Sequence, residues 1–237
     1  MTYDIKIEQF SFAYHKNNYI LKDINLNILS GSCIGLVGSN GSGKTTLIKC
    51  ILGELSGNGL ISILGETPDI TSIPFKKKLG IVMDDDLLLD YLTLNEYLHI
   101  IGKLYGILDE NLNELITYWL NYFNLIEFQY RIIKFFSHGM RKKVQIIGAI
   151  IHKPAVLIID EPTNGLDIEM IYLLKKAILE LKKNGTTIIV STHILSFVED
   201  VCDEVAILSK HSIQLQKSIE YIKKNSSLED TFLKLIQ

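Results

Sequence analysis

The chain has 237 residues, of which 47% are hydrophobic and 22% are charged, and its formal net charge is −3. This composition excludes a disordered chain, the length fits one large α/β domain with a subdomain, and the slightly acidic balance argues against nucleic acid as a partner. No apolar run approaches the roughly 18 residues that span a bilayer, and the first residues lack a secretory signal pattern. We therefore expect any membrane span to belong to another polypeptide.

The first third of the chain predicts strands around a glycine-rich turn. Ile24, Leu26 and Ile28 alternate with polar residues, and this period of two predicts a half-buried antiparallel strand. The short apolar run Cys33–Val37 predicts a buried strand, and residues 45–52 predict a helix. The local order around the glycines is therefore strand, turn and helix.

The middle section, residues 87–152, predicts helices. Thr93 and Glu96 match the Thr-x-x-Glu capping box, in which each side chain bonds the backbone at a helix start. Ser137 is a second candidate cap. The expected helices span residues 94–104, 109–123 and 139–151.

Strand patterns return in the last third of the chain and alternate with helical ones. Buried strands are expected at residues 156–159, 186–191 and 205–208. Between the first two, apolar residues recur at helical spacing, at Ile171, Leu174, Ile178 and Leu181. Alternating strands and helices predict a parallel sheet. Residues 228–236 predict a closing amphipathic helix.

One motif lies between the first buried strand and the helix that follows it. Residues 38–45 match G-x-x-x-x-G-K-[ST], a phosphate-loop pattern, and read Gly38, Ser39, Asn40, Gly41, Ser42, Gly43, Lys44 and Thr45. Glycine lets the backbone approach phosphate oxygens closely, and successive N–H groups at a helix N-terminus bind the anion. We expect Lys44 to reach the β- and γ-phosphates and Thr45 to place its hydroxyl on Mg²⁺.

Acidic and polar residues follow two of the later strands. Asp160 ends the strand at 156–159, and ligands of open α/β sheets bind at the carboxyl ends of strands. We therefore expect Asp160 to hold Mg²⁺, and Glu161 to polarise an attacking water. His193 follows the next strand of the same sheet and could reach the γ-phosphate, although a histidine alone in such a place is more often structural.

Three cysteines occur at Cys33, Cys50 and Cys202. Their odd number and wide spacing fit neither a disulfide framework nor a metal site. We expect them to be reduced thiols in the core of a cytosolic protein.

In order and spacing, these residues resemble the motif series of ABC-type ATPases, the nucleotide-binding subunits of ABC transporters. The resemblance covers nearly the whole chain. Tyr14 stands where the family has an aromatic residue that stacks on adenine, and the stretch from Gly38 to Thr46 corresponds to Walker A. The later motifs also have counterparts, which are the signature at residues 136–140, the Walker B pair Asp160 and Glu161, the D-loop ending at Asp167, and the switch histidine at His193.

The resemblance implies a P-loop NTPase of ABC type, with a mostly parallel sheet core, an antiparallel β-subdomain and a helical subdomain. It implies one domain over residues 1–237, in which residues 1–86 and 153–237 form the core with the β-subdomain. Residues from about 87 to 152 then form the helical signature subdomain. This subdomain is expected to dock a transmembrane permease at the cytoplasmic face of the membrane.

The resemblance also implies a dimer of ATPase domains, either a homodimer or a heterodimer. Two domains pack head to tail and enclose two ATP molecules, with Mg²⁺ as cofactor. Each ATP lies between Walker A of one subunit and the signature of the other. Glu161 is then the general base, and His193 positions Glu161 and the γ-phosphate.

The sequence departs from the family pattern in the signature. This segment reads Phe136, Ser137, His138, Gly139 and Met140 instead of Leu-Ser-Gly-Gly-Gln, so that a bulky His138 replaces a glycine. Followed by the basic residues 141–143, this form resembles the signature of bacterial exporters of drugs, antibiotics and antimicrobial peptides. The closing segment, residues 228–233, shows the same resemblance.

A second departure lies at the Q-loop, where the family has a glutamine after a short strand. Aligning residues 80–83 with that strand puts Asp84 at the glutamine position, beside Asp85 and Asp86. This resembles the subgroup that exports lantibiotics or confers immunity to them, in which glutamate replaces the glutamine. Because a carboxylate is a stronger ligand for a hard cation than an amide oxygen, we expect Asp84 to contact Mg²⁺. A solvated acidic loop is the alternative.

Two other functions stay open at this stage. One is an ABC ATPase that transports nothing, such as an iron–sulphur assembly ATPase or a repair ATPase. The other is a module that binds ATP without hydrolysing it, which the presence of Glu161 and His193 disfavours.

Overall fold

The structure is a computed structural model, and it describes residues 2–16, 18–85 and 87–236. In this part of the chain the strands are β1 (Tyr3–His15), β2 (Asn18–Leu29), β3 (Cys33–Val37), β4 (Asn58–Ile63), β5 (Leu79–Val82), β6 (Val156–Asp160), β7 (Thr187–Thr192), β8 (Glu204–Ser209) and β9 (Ser212–Ser218). The α-helices are α1 (Lys44–Ile51), α2 (Ile73–Lys76), α3 (Leu94–Leu104), α4 (Asp109–Tyr122), α5 (His138–Ile150), α6 (Ile168–Lys183), α7 (Leu195–Val201), α8 (Ile219–Asn225) and α9 (Leu228–Ile236).

Six of these strands form the central sheet, in the order β5-β6-β7-β3-β8-β9. Neighbouring strands are parallel except for β8 and β9, which pair antiparallel. The mostly parallel sheet predicted from the sequence is therefore confirmed. Because β6, β7 and β3 are parallel neighbours, their carboxyl ends lie at one edge, where Val37 pairs with Thr192 and Asp160 pairs with Ser191.

A second sheet contains β2, β1 and β4 in that order, and its strands pair antiparallel. The alternation predicted at Ile24, Leu26 and Ile28 is confirmed in β2, because these three side chains are buried and the residues between them are exposed. This sheet is the predicted antiparallel part of the fold.

Apolar side chains cover both faces of the central sheet. In β3, Cys33 and Val37 belong to one apolar cluster, whereas Ile34 and Leu36 belong to another. Successive side chains of a strand point to opposite faces, so each cluster packs on one face. The first cluster includes residues of α3, α4, α5 and α6, and the second includes residues of α1 and of the antiparallel sheet.

The helices α3, α4 and α5 follow β5 and precede β6 along the chain. The predicted capping box of α3 is confirmed, because the hydroxyl of Thr93 accepts from the N–H of Glu96 (3.3 Å) and Glu96 accepts from the N–H of Thr93 (2.8 Å). The predicted cap of α5 is confirmed as well, since Ser137 accepts a hydrogen bond from the N–H of Met140. This helix begins at His138, one residue before the predicted start.

The three cysteines are free and buried, as predicted. The sulfur atoms of Cys33 and Cys202 lie 3.5 Å apart. Burial raises the pKa of the Cys50 thiol to about 12. Because the thiolate is the reactive form of cysteine, Cys50 is an unreactive group of the core.

The described helices are short or polar relative to a bilayer. Helix α6 has 16 residues and carries four lysines, whereas a spanning helix needs about 20 mostly apolar residues. Within the described ranges, no helix combines the length and the apolar character needed to cross a membrane.

We expect Thr93→Ala to lower the free energy of unfolding by about 0.5–2 kcal/mol, because an N-cap hydroxyl is lost. Hydrogen bonds from the N–H and the hydroxyl of Thr93 also hold the pKa of Glu96 below its ordinary value. Their contribution is present above that ordinary pKa and is lost as the pH falls through the lowered pKa. Thr93→Ala keeps the N–H bond and removes only the hydroxyl's share of this contribution. The cost of Thr93→Ala should therefore be slightly smaller in acid, as measured by urea denaturation.

Thr117→Ala is the matched control, because Thr117 is exposed in the interior of α4. Its effect should stay within about 0.5 kcal/mol at every pH. Equal losses in the two variants, or a cost of Thr93→Ala that does not change with pH, would contradict the capping argument.

Candidate functional site

A cleft of about 590 Å³ lies at the carboxyl edge of β3, β6 and β7. The antiparallel sheet, the loop after β3, the loop after β5 and the residues after β6 and β7 all contribute to its walls. The lining residues are Tyr14, Ile20, Asn40, Gly41, Gly43, Lys44, Thr45, Thr46, Asp84, Glu161, Asn164 and His193. The cleft therefore brings together side chains from motifs that are far apart in the sequence.

Two glycines allow the loop between β3 and α1 to wrap tightly. A Cβ at Gly38 would lie 2.4 Å from Oγ of Ser42 and 2.6 Å from the carbonyl oxygen of Leu208. Gly43 has a φ of +103° and immediately precedes α1. The start of a helix carries N–H groups without intrahelical partners. Helix α1 therefore supplies anion-binding donors at the cleft.

Lys44 lies at the base of the cleft and is only 6% exposed. Its Nζ donates to the carbonyl oxygens of Gly38 (2.9 Å) and Ser39 (3.4 Å). It also lies 3.4 Å from Oε1 of Glu161. A buried charge requires such partners, and these contacts hold the ammonium group at the loop, where a bound anion would meet it.

A hydrogen bond between a hydroxyl and a carboxylate joins α1 to β6. Oγ1 of Thr45 donates to Oδ2 of Asp160 at 2.8 Å. The other carboxylate oxygen, Oδ1, is buried and has no hydrogen-bond partner among the described residues. Mg²⁺ is usually bound by one or two carboxylates together with substrate phosphates and water. The donors Thr45 and Asp160 therefore fit Mg²⁺ in the presence of phosphate.

This site differs from a metal centre built from protein ligands alone. Within residues 2–16, 18–85 and 87–236, no group of three or more His, Cys, Asp or Glu side chains could hold a metal ion. Binding of Mg²⁺ here would depend on phosphate oxygens as additional ligands.

Glu161 has a strained backbone immediately after β6. Its φ is +43°, and its N–H donates to the carbonyl oxygen of Ser191 at 2.8 Å. Oε2 lies 3.0 Å from Nδ1 of His193, while Oε1 faces Lys44. Strained conformations persist where the surroundings fix them, and they cluster at functional sites. A carboxylate held in this way is suited to accept a proton from water.

Tyr14 and Ile20 form an apolar part of the wall. The ring of Tyr14 is 55% exposed and makes a T-shaped contact with Phe12, with ring centroids 4.8 Å apart. A methyl group of Ile20 would lie 3.3 Å from a Cβ at Gly43, so this side chain adjoins the loop. Because the ring of Tyr14 is exposed and no ring of the described residues is stacked parallel to it, a planar base can stack on it.

Asp84 also lines the cleft. Its Oδ1 accepts a hydrogen bond from Nδ2 of Asn164 at 3.1 Å. The structure therefore places Asp84 in the same cleft as Glu161 and His193, while its contact with Mg²⁺ stays a prediction. Asp86, which the sequence analysis placed beside it, lies outside the described residues.

The signature residues do not line the cleft of their own chain. Ser137 caps α5, and a Cβ at Gly139 would have no atom within 4 Å. Met140 packs partly into the core, and the ring of His138 contacts the loop after β6. Asp167 likewise caps α6 by accepting from the N–H of Met170 at 2.7 Å. The predicted contact of the signature with a partner's nucleotide therefore stays a prediction.

Two residues that line the cleft, Ile20 and Asn164, were not predicted from the sequence. Asn164 follows Glu161 by three positions, and this proximity was a usable signal. Ile20 carried no such signal, because its place depends on how the antiparallel sheet packs on the loop.

A comparison with protein families shows what kind of protein carries this site. The sequence profile of the ABC transporter family matches residues 21–164, more than half of the chain. The chain therefore belongs to the ABC transporter family, as one of its ATP-binding proteins.

Individual relatives and solved structures agree with this assignment. LnrL of Bacillus subtilis (strain 168), a linearmycin resistance ATP-binding protein, is 33% identical over 207 residues, which cover 87% of this chain and 66% of LnrL. A structure of an ATP-binding subunit of an ABC transporter covers 100% of both chains with a TM-score of 0.92 and 28% identity. The cbiO1 protein of Clostridium perfringens, part of the ABC transporter complex cbiONQ, has a TM-score of 0.83 and 26% identity over 99% of this chain and 95% of cbiO1.

These similarities confirm the ABC-type ATPase fold inferred from the motif series. The family hydrolyses ATP, so the chain is an ATPase. The non-hydrolysing module considered in the sequence analysis is accordingly not supported.

We expect Gly38→Ala to weaken ATP binding at least about 10-fold and to lower the free energy of unfolding by about 1–3 kcal/mol, because the new Cβ overlaps backbone and side-chain atoms. Equilibrium binding of a fluorescent ATP analogue and urea denaturation measure the two effects. Gly139→Ala is the matched control for stability, since space is open there. If Gly38→Ala and Gly139→Ala both unfold like the parent chain, the inference that the loop is tightly packed at Gly38 is wrong.

Proposed function

We propose that this chain is the ATP-hydrolysing subunit of an exporter of drugs, peptides or lipids, acting on a separate membrane permease. The form of the signature carries the proposal, because Ser137, His138, Gly139 and Met140 precede basic residues as in bacterial drug and antimicrobial-peptide exporters. The similarity to LnrL, a linearmycin resistance protein, supports it. The short and polar helices of the described residues are consistent with a permease on another polypeptide.

The side chains of the cleft divide the work of binding. Lys44 and the amides of residues 38–46 bind the phosphates, and Tyr14 stacks on adenine. Thr45 and Asp160 hold Mg²⁺, with Asp84 as a further ligand. When bound, the cation neutralises phosphate charge that the single Lys44 cannot balance.

Glu161 and His193 carry the chemistry. Glu161 accepts a proton from the attacking water. His193 fixes the orientation of the Glu161 carboxylate through the 3.0 Å contact of its Nδ1. The strained backbone of Glu161 holds its position between Lys44 and His193.

A second ATPase domain completes each site. The start of α5 presents Ser137 and the open space at Gly139, and a helix N-terminus favours a γ-phosphate. These groups lie outside the cleft of their own chain, so a head-to-tail partner, identical or different, would supply them. ATP then holds the dimer together, and hydrolysis releases it.

The permease would dock on the helical subdomain, residues 87–152, while residues 1–86 and 153–237 form the core with the β-subdomain. That cbiO1, similar over nearly its whole length, is part of the complex cbiONQ supports such an assembly. The chain would then lie peripherally at the cytoplasmic face of the membrane.

Glu161→Gln should reduce steady ATP hydrolysis by at least about 100-fold, because the amide cannot accept the proton of water. ATP should then hold the variant as a stable dimer. Phosphate release and size-exclusion chromatography with ATP measure the two effects. Glu220→Gln, on the exposed face of α8, should hydrolyse ATP at the parent rate, and full activity of Glu161→Gln would refute the assignment.

Transport is tested with the permease that co-purifies with the chain from native membranes. In liposomes containing this permease, with the chain and ATP outside, export should accumulate amphipathic drugs or cationic peptides in the lumen. Glu161→Gln should abolish the accumulation. A chain that co-purifies instead with iron–sulphur assembly proteins, and with no membrane protein, would favour the non-transport ATPase.

A further inference from the structure

The two departures from the ABC family pattern meet at one residue. Asp84 replaces the Q-loop glutamine, and His138 replaces a signature glycine. Asp84 contacts the side chain of Asn164, and His138 contacts the backbone carbonyl oxygen of Asn164. Asn164 also lines the cleft, so its contacts connect the cleft to the signature within one chain.

The side-chain contact fixes one oxygen of Asp84. Nδ2 of Asn164 donates to Oδ1 of Asp84 at 3.1 Å. The backbone on both sides of Asp84 is held by α5, because Gln145 donates to the carbonyl oxygens of Met83 (3.0 Å) and Asp85 (3.1 Å). Because the backbone and Oδ1 are held, the carboxylate is restrained, and Oδ2 is the oxygen that would meet a ligand.

The backbone contact ties Asn164 to the signature. Nε2 of His138 donates to the carbonyl oxygen of Asn164 at 3.4 Å. The ring also packs against Gly165, where a Cβ would lie 2.6 Å from Cδ2 of His138 and where φ is +69°. A side chain at position 165 would therefore displace the ring, and glycine here and histidine at 138 fit each other.

The segment that carries these contacts is itself anchored to the proposed base. The N–H of Asn164 donates to the carbonyl oxygen of Glu161 at 3.4 Å, and the N–H of Leu166 donates to that of Thr163 at 3.3 Å. The turn after Glu161 thus connects Asn164 to Glu161 through only two intervening residues. A displacement of Asn164 would therefore affect both Glu161 and the contacts of Asn164 with Asp84 and His138.

We propose that Asn164 is a positioning residue, which orients the Asp84 carboxylate toward the cation of bound ATP and links it to the signature of the same chain. The inference rests on the proposed role of Asp84 at Mg²⁺. Asn164 acts through Asp84 and His138, and touches no reacting atom. A change in the orientation of Asp84 on nucleotide binding would therefore alter the position of His138 through Asn164. His138 lies beside the residues that would contact the partner's ATP.

The test measures how strongly Mg²⁺ promotes binding of a fluorescent ATP analogue, with protein dilute enough to be monomeric by light scattering. Asn164→Ala should raise the Mg²⁺ concentration for half-maximal effect by about 3- to 10-fold, the range expected for losing one hydrogen bond. Asn164→Asp, of the same shape, should raise it further, since it sets a like charge against Asp84. Affinity in EDTA should change less than about twofold in both, because phosphate binding is intact.

Two controls separate a positioning role from damage to the fold. Asn121→Ala removes an exposed amide whose described bond is to Thr117 of the same helix, and it should leave the Mg²⁺ response unchanged. Asp84→Asn should itself raise the required Mg²⁺ concentration, and adding Asn164→Ala to it should have little further effect. Full additivity of the two changes would overturn the proposal.

The link to the signature is tested with His138→Gly. In the parent chain this change should shift the Mg²⁺ response in the same direction as Asn164→Ala, and in the Asp84→Asn background it should not. If Asp84→Asn alone has no effect, the proposed role of Asp84 fails. If Asp84→Asn has its effect but Asn164→Ala and His138→Gly do not, the role of Asn164 fails while the ATP site stands.

Discussion

The parallel register of β6, β7 and β3 is the constraint on which the site depends. It brings the end of β3, which leads into the phosphate loop, level with the end of β7 beside His193, through the pairing of Val37 with Thr192. It likewise aligns Asp160 with Ser191. Because side chains alternate along a strand, a slip of one residue would turn Asp160 to the other face of the sheet. Strand pairing therefore determines which residues lie side by side at this edge, and the loops start from these fixed positions.

The polar groups gathered at this edge stabilise one another. Lys44 faces Glu161, Glu161 faces His193, and Thr45 faces Asp160. Lys44 and Asp160 are buried, and removing the partner of a buried charge leaves that charge uncompensated, so substitutions here affect folding as well as chemistry. Asn164 extends the same set toward the signature. The contacts among these side chains are thus made by the same atoms proposed to bind Mg²⁺, phosphate and water.

Short sequence patterns correctly predicted the elements whose formation depends on residues that are neighbours in the sequence. The alternation in β2, the capping box of α3 and the strand–loop–helix order around Gly38 were all confirmed, because each depends on neighbours in the sequence. The short strand β4 and the helix α7 were not predicted. In β4 most residues are exposed or half-buried, so the apolar pattern is weak. The contact of Asn164 with Asp84 joins residues 80 positions apart, which no local pattern can reveal.

Thr45 and Asp160, brought together by the sheet, are proposed to bind the cation of ATP above the phosphate loop. The most direct measurement is a crystal structure of Glu161→Gln grown with ATP and Mn²⁺ in place of Mg²⁺, with anomalous diffraction from the manganese. We expect an anomalous peak at roughly 2.0–2.3 Å from Oγ1 of Thr45, beside Asp160, with the phosphates along residues 38–46. A peak remote from these two side chains, or phosphates bound elsewhere, would contradict it.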